Sequence, residues 1–384
     1  MSSLLNKIIL LIGAAVLLIA GYIAYTYSGQ TITEQFEGSI PFIWNRNVNL
    51  TVAQYTEARP SPYILLLGGG YQSGKSRLIE VLAQEKIENG RFVIKFDAAE
   101  AKSYDDFLSI LKLAISNGLS YFKMYGSANS LLRASEKLDP SSKGSSTNVD
   151  NAISRIYSIF SKLIDSITEE HFSTESVQKF FKYLELISEN LRPIIFIHNY
   201  DSIKSLNSTL IPKILDSLSS YLSRRNNYEQ TIPVILEIKN SLSLINLTNS
   251  DIFEYFEMPE LENTQQHYTV EHQIFTAQQL RKIIGTFGAH AGSLAKAFED
   301  RRFGITIDDS ISNQIAKISK IVKAASEGLN ENSTKMICTK EIWNFDVFQI
   351  DQFRELIEEE MLYITKSLDL KFANKAVRNS LCKE

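Results

Sequence analysis

A chain of 384 residues, 44% hydrophobic and 22% charged with only 8 prolines, has the composition of a globular protein with a sizeable core, as one large domain or two small ones. Its formal net charge of −4 excludes a general basic field for nucleic acid. Two cysteines, Cys338 and Cys382, exclude a disulfide framework and lack metal-ligand spacing, though a single bridge between them stays open.

Ile8 to Tyr27 reads IILLIGAAVLLIAGYIAYTY, and the first charge after it is Glu34. Twenty such residues as a helix span about 30 Å, the thickness of a bilayer's hydrocarbon core. Tyr22, Tyr25 and Tyr27 gather at one end, where an interfacial aromatic belt sits. A signal peptide has a shorter apolar stretch, about 7–15 residues, and a core helix has a polar face. Residues 1–27 are therefore read as a membrane anchor. Lys7 precedes the span and the next basic residue is Arg46, so positive-inside reasoning leaves the short N-terminus in the cytosol or matrix and the bulk across the membrane. The expectation is a single-pass protein of an organelle membrane, mitochondrial inner membrane or endoplasmic reticulum, with the side left open. Four glycosylation sequons, at Asn49, Asn207, Asn246 and Asn332, are about what this Asn-, Ser- and Thr-rich composition gives by chance.

Residues 28–60 form a polar connector in which Phe42 and Trp44 are expected to dock on the domain that follows. Within 61–262, apolar runs at 63–67, 91–96, 193–197, 232–238 and 252–256 alternate with helical periodicity at about 75–88, 104–119, 150–167, 175–191 and 208–223. The clearest loop or flexible insertion lies at 137–149. Near-continuous apolar strands alternating with helices predict an α/β fold with a parallel sheet covered on both faces. No strand pattern appears after about 262. Helical patterns near 276–287, 291–301, 308–328 and 347–367 predict a helical lid and C-terminal helical region over 263–384.

Between the first strand and its helix lies Gly69-Gly70-Tyr71-Gln72-Ser73-Gly74-Lys75-Ser76, which fits G-x-x-x-x-G-K-[ST]. The glycines let successive N–H groups curl around phosphate oxygens. Lys75 places a compact charge on the β- and γ-phosphates, and the Ser76 hydroxyl is the candidate Mg²⁺ ligand. The helix entered at Lys75, Ser76 and Arg77 turns its positive end toward the same phosphates. ATP and Mg²⁺ are the expected cofactors.

With these motifs the chain resembles the P-loop ATPases with an extra central strand, in particular the AAA+-related, STAND-like (archaeal-ATPase-like) branch. The resemblance implies a strand ending in Asp-Glu, for Mg²⁺ and for the attacking water. Here the matching strand, Pro193 to Ile197, is followed by His198-Asn199-Tyr200-Asp201, a degenerate version. Asn199 can orient a water but is a poor base. Asp201 is the nearby carboxylate, or else a helix cap. Asn240, closing the fourth strand, stands where such families place a γ-phosphate sensor, or else simply ends the strand. Arg224 and Arg225 are the candidates for a finger. Thr286-Phe-Gly-Ala-His-Ala-Gly-Ser-Leu294 resembles the lid signature of that branch, with His290 where a lid arginine approaches the nucleotide. A mitochondrial family of the branch, the mitochondrial escape protein 2 type, combines one membrane span with such a domain. Asn-Lys-x-Asp of GTPases and the Ser-Gly-Gly-rich signature of ABC ATPases are missing. The implied function is a membrane-anchored nucleotide switch with slow or absent hydrolysis, acting on a protein partner or by self-association. The alternative is an active AAA+-like ATPase doing mechanical work at a membrane.

Overall fold

The computed structural model describes residues 64–142, 148–167, 174–201, 232–242, 253–260, 275–339, 343–344, 351–365, 367 and 369–382, with Val52, Tyr55 and Thr56 of the connector. The apolar span 8–27, Phe42, Trp44, the predicted helix at 208–223 and Arg224 and Arg225 lie outside the described residues. Among the described residues no helix is long and apolar enough to cross a membrane.

Five parallel strands form the first unit: β1 (Ile64–Gly68), β2 (Val93–Asp97), β3 (Ile194–His198), β4 (Val234–Glu237) and β5 (Phe253–Glu257), in the order β2-β3-β4-β1-β5. The inner strands β1, β3 and β4 are near-continuous apolar runs because both faces are covered, whereas Lys95 interrupts the edge strand β2 and the other edge strand, β5, alternates Phe253, Tyr255 and Phe256 with Glu254 and Glu257 and is largely half-buried. Ile64, Leu66, Ile94, Phe96 and Leu236 point to one face, under α2 (Tyr104–Tyr125), α3 (Ala128–Leu138), α4 (Val149–Asp165), α5 (Thr174–Leu186) and the single turn α6 (Ser188–Leu191). Leu65, Leu67, Val93, Phe196 and Ile235 point to the other, against α1 (Lys75–Glu88) and the connector residue Val52. Ser103 caps α2 by accepting from the Asp106 N–H at 3.1 Å. Gly118 is where α2 crosses the sheet, since a Cβ there would stand 2.3 Å from the Val93 carbonyl. The register sets Leu67 opposite Glu237, Leu236 opposite Ile197 and Asp97 opposite His198. The carboxyl ends of β1, β4 and β3 therefore lie side by side, the edge at which open α/β sheets bind ligands.

The second unit corrects the expectation of an all-helical region after 262. Helices α7 (Ala277–Phe287), α8 (Ala291–Arg302), α9 (Ile307–Ala325) and α10 (Glu331–Thr339) are followed by β6 (Trp343–Asn344), α11 (Arg354–Glu358), β7 (Leu362–Ile364), β8 (Asp369–Phe372) and α12 (Lys375–Cys382). The strands form an antiparallel sheet in the order β6-β8-β7. Strands of two to four residues are too short to print an alternation on the sequence. Phe353, Leu356, Ile357 and Met361 are all buried and mimic helical spacing. The chain leaves that helix at Glu360, whose φ of +59° is left-handed. Cys338 and Cys382 are bridged, with a Cα–Cα distance of 5.6 Å, and so tie α10 to α12.

Candidate nucleotide site

The loop from Gly69 to Ser76 connects β1 to α1. Gly69 (φ +136°) and Gly74 (φ +95°) hold conformations that L side chains rarely adopt, which is the local reason for glycine at both. Helix α1 begins with no side-chain cap and no acidic residue in its first turn, so its leading N–H groups and positive end are left for a ligand. The Ser73 hydroxyl, in a residue 5% exposed, has no hydrogen-bond partner among the described residues. A helix N-terminus and an uncommitted buried hydroxyl are donors that fit phosphate oxygens.

Lys75 is 4% exposed. Its ammonium donates to the carbonyls of Gly69 at 2.8 Å and Gly70 at 3.3 Å, and to Oε1 of Glu360 at 2.7 Å. The same glutamate accepts from the Tyr71 N–H at 3.0 Å through its carbonyl. One residue of the second unit thus grips the phosphate loop by both main chain and side chain.

Ser76 donates to Oε1 of Glu237 at 2.5 Å. Glu237 is 3% exposed, and its other oxygen lies 2.7 Å from Nδ1 of His198. Ring nitrogen Nε2 of His198 stands 3.1 Å from Oε1 of Glu80. A hydroxyl beside a carboxylate, with Ser76 itself on the exposed side, is a hard-oxygen set that fits a hydrated Mg²⁺.

The predicted catalytic trio stands apart from these bonds. Asn199, with φ +47°, donates from Nδ2 to both carboxylate oxygens of Asp97, at 2.9 and 3.0 Å. Asp201 accepts from the N–H groups of Lys239, at 3.0 Å, and Asn240, and so ties the ends of β3 and β4 together. Burial pushes its pKa up to about 6 against the lowering pull of those N–H donors, with the nearby Glu360 charge raising it further. Asn240 Oδ1 accepts from the Leu242 N–H at 3.0 Å, as in an ordinary Asx turn. None of the three side chains bonds to Lys75 or Ser76.

Helix α8 does reach the loop. The Gly292 N–H donates to the Gln72 carbonyl at 2.9 Å, and Ser293 Oγ donates to Gln72 Oε1 at 3.0 Å. His290 precedes α8 as its N-cap residue, is buried, and with Gly70, Ser73, Gly288 and Tyr363 lines a cavity of about 630 Å³. Lys371, Lys375 and Arg378 of the second unit complete the wall. Glu257 there accepts from the Tyr363 hydroxyl at 3.0 Å and from Lys371 at 3.1 Å. Of the remaining loop residues, Tyr71 carries Lys317 over its ring at 5.8 Å, and Arg77 points outward on α1.

The structure places Gly69 to Arg77 along one loop and helix start, with His290 on the wall of the adjoining cavity; sequence reasoning does not single out Glu237, Glu80 or Glu360. The signal for Glu237 was present: a lone carboxylate inside the apolar run Pro233-Val-Ile-Leu-Glu-Ile. Glu360 carries no such mark, because it stands 285 residues from Lys75.

No protein-family model and no curated protein matches the chain. Among solved structures, a Walker-type ATPase of Pyrococcus abyssi is similar over 87% of this chain and 95% of that one, with a TM-score of 0.53 and 13% identity. At that identity the likeness speaks for fold alone. The chain has a P-loop ATPase-like fold, with its glycine-rich loop at the position such folds use for nucleotide phosphates.

Proposed function

We propose that this chain is an ATP-binding switch of the AAA+-related, STAND-like branch, tethered to an organelle membrane by residues 8–27, with slow or absent hydrolysis. The observation that carries the reading is the ammonium of Lys75 held by Glu360 at 2.7 Å. A phosphate and Glu360 compete for that one cation. Occupancy of the loop by ATP with Mg²⁺ therefore displaces a contact between the two units, which is how a local charge event becomes a movement. A protein partner, or a second copy of the chain, would read out that movement. The Cys338–Cys382 bridge supports an oxidising compartment for the C-terminal unit.

When bound, Mg²⁺ would neutralise charge on the phosphates, with Ser76 as a ligand. His290 and Ser73 would meet the nucleotide from the cavity side. The alternative, an active AAA+-like motor, draws on the carboxylate of Glu237 beside Ser76. Against it, Asn199, Asp201 and Asn240 are bonded to Asp97 and to backbone.

Calorimetry on the full chain with ATP and with ADP, with and without Mg²⁺, and on Lys75→Ala tests the binding. Binding that Lys75→Ala abolishes, with single turnover well below about 1 s⁻¹, is the expected result. No heat for either nucleotide sinks the proposal, and Lys75-dependent turnover of about 1 s⁻¹ or faster replaces the switch with the motor. Carbonate extraction tests the tether: release into the supernatant removes it.

A further inference from the structure

We propose that Glu237 on β4 is the anionic member of the Mg²⁺ site, replacing the carboxylate that β3 lacks, and that His198 is its positioning residue. The inference rests on the phosphate-loop reading above and goes beyond it by assigning the metal's charge partner to a different strand.

Where the resemblance leads one to look for an acidic pair, β3 ends in His198 and then Asn199. Asn199 is held by Asp97 and adds no charge. The neighbouring strand supplies what is missing. Parallel register aligns Leu236 of β4 with Ile197 of β3 and Glu237 with Leu67 of β1, so the Glu237 side chain rises between the two strand ends. It lands on the hydroxyl that the motif reserves for the metal, 2.5 Å from Ser76 Oγ.

Its surroundings ask for a cation. Burying a carboxylate is costly unless charge and hydrogen bonds compensate it. Among the described residues no lysine or arginine pairs with Glu237, whose bonds are to Ser76 and His198. Glu80 brings a second carboxylate to the other ring nitrogen of that histidine, at 3.1 Å. Glu80 is itself paired with Lys95 at 2.5 Å, so the negative charge left facing the phosphate loop is that of Glu237, beside an imidazole and an exposed hydroxyl. A divalent cation bound with nucleotide balances it. With Nδ1 of His198 on Oε2, Oε1 is the oxygen turned to Ser76, which is the orienting work an outer partner does at a metal site.

The test uses the full chain, purified in detergent, with Mn²⁺ as the probe and a non-hydrolysable ATP analogue. Free Mn²⁺ is followed by electron paramagnetic resonance, and analogue affinity is measured separately in EDTA. Glu237→Gln keeps the shape and removes the charge. It is expected to weaken Mn²⁺ binding in the ternary complex about 10- to 100-fold, with analogue affinity in EDTA unchanged within about twofold. Glu237→Asp, which keeps the charge on a shorter arm, should show an intermediate loss. In a Ser76→Ala background the Glu237→Gln loss should largely vanish, because the two groups serve one ion. Wild-type Mn²⁺ affinity in Glu237→Gln, or full additivity with Ser76→Ala, overturns the assignment. An analogue that fails to bind the wild-type protein even in EDTA overturns the nucleotide reading itself, an outcome distinct from both.

Discussion

Glutamine in place of Glu360 should tighten ATP binding. Oε1 of Glu360 is 2.7 Å from the Lys75 ammonium, with side-chain exposures of 14% and 4%. A charge-assisted hydrogen bond in such a setting contributes about 1.5–3 kcal/mol net. ATP must break that bond before its phosphates reach Lys75, so the population of the competent loop falls exponentially as the latch strengthens. At about 1.4 kcal/mol per decade, removing the latch tightens apparent affinity about 10- to 150-fold. Two further terms have the same sign. The variant leaves the buried Lys75 charge with neutral acceptors alone, the Gly69 and Gly70 carbonyls and the glutamine amide oxygen, which raises the free energy of the empty state. It also takes a carboxylate away from incoming phosphate charge.

The substitution is isosteric and leaves the main-chain bond from the Tyr71 N–H to the Glu360 carbonyl in place, so the grip on the loop is not removed altogether. Titration calorimetry of wild type and Glu360→Gln with ATP measures the effect, and Lys75→Ala in both backgrounds should abolish it. The thermal shift produced by saturating ATP should grow in the variant, since ligand stabilisation follows the dissociation constant. Equal or weaker ATP affinity in Glu360→Gln refutes the competition.

Three other outcomes follow from the geometry. Burial raises the pKa of Asp201 to about 6 from the ordinary 3.8, so the folded state holds the extra proton between those values. Stability should rise as pH falls through that window and be lost as pH rises, by about 3 kcal/mol in total, and denaturant titrations of Asp201→Asn across pH 4–7 should lack that component. Cleaving the Cys338–Cys382 bridge, whose cysteines are 44 residues apart, should cost the second unit about 4 kcal/mol by chain entropy, read as a lower guanidinium midpoint under reductant and in Cys382→Ser. A Cβ on Gly292 would stand 2.3 Å from the Gln72 carbonyl, so Gly292→Ala should cost about 1–3 kcal/mol and loosen α8 from the loop, seen as faster amide exchange over residues 70–73.

How far the site was legible depends on how local each part is. The strand, loop and helix from Ile64 to Glu88 are written in contiguous residues, because one short segment supplies the turn glycines, the cation and the hydroxyl. Strand edges shift by one or two residues, while α2 runs on to Tyr125, beyond the predicted 119, because its last turns pack Phe122 into the core. Glu237 was hidden by its own context. A run of buried β-branched and leucine residues reads as a strand whatever single residue interrupts it, and which neighbour that residue meets is set by inter-strand register, which no window of sequence contains. His198 and Asn199 were visible as substitutions for an acidic pair, yet only the pairing of β3 with both β2 and β4 divides their roles, Asn199 to Asp97 and His198 to Glu237.

The second unit was misread for a related reason, and its consequence reaches the loop. Glycine at Gly69 and Gly74 answers to backbone conformation, but Gly70 answers to crowding, since a Cβ there would meet the Cα of Ala373 at 2.5 Å. The same eight residues that curl around a phosphate are thus shaped to receive the C-terminal unit, through Gly70 on Ala373, Tyr71 and Lys75 on Glu360, and Gln72 on Gly292. Both ligands of the loop claim one ammonium, so their coupling is negative, and linkage makes it reciprocal: nucleotide must weaken the docking of the second unit by the same factor that docking weakens nucleotide. On the proposed nucleotide reading, a lysine already engaged across the two units would make binding alone, without hydrolysis, change which surfaces are joined.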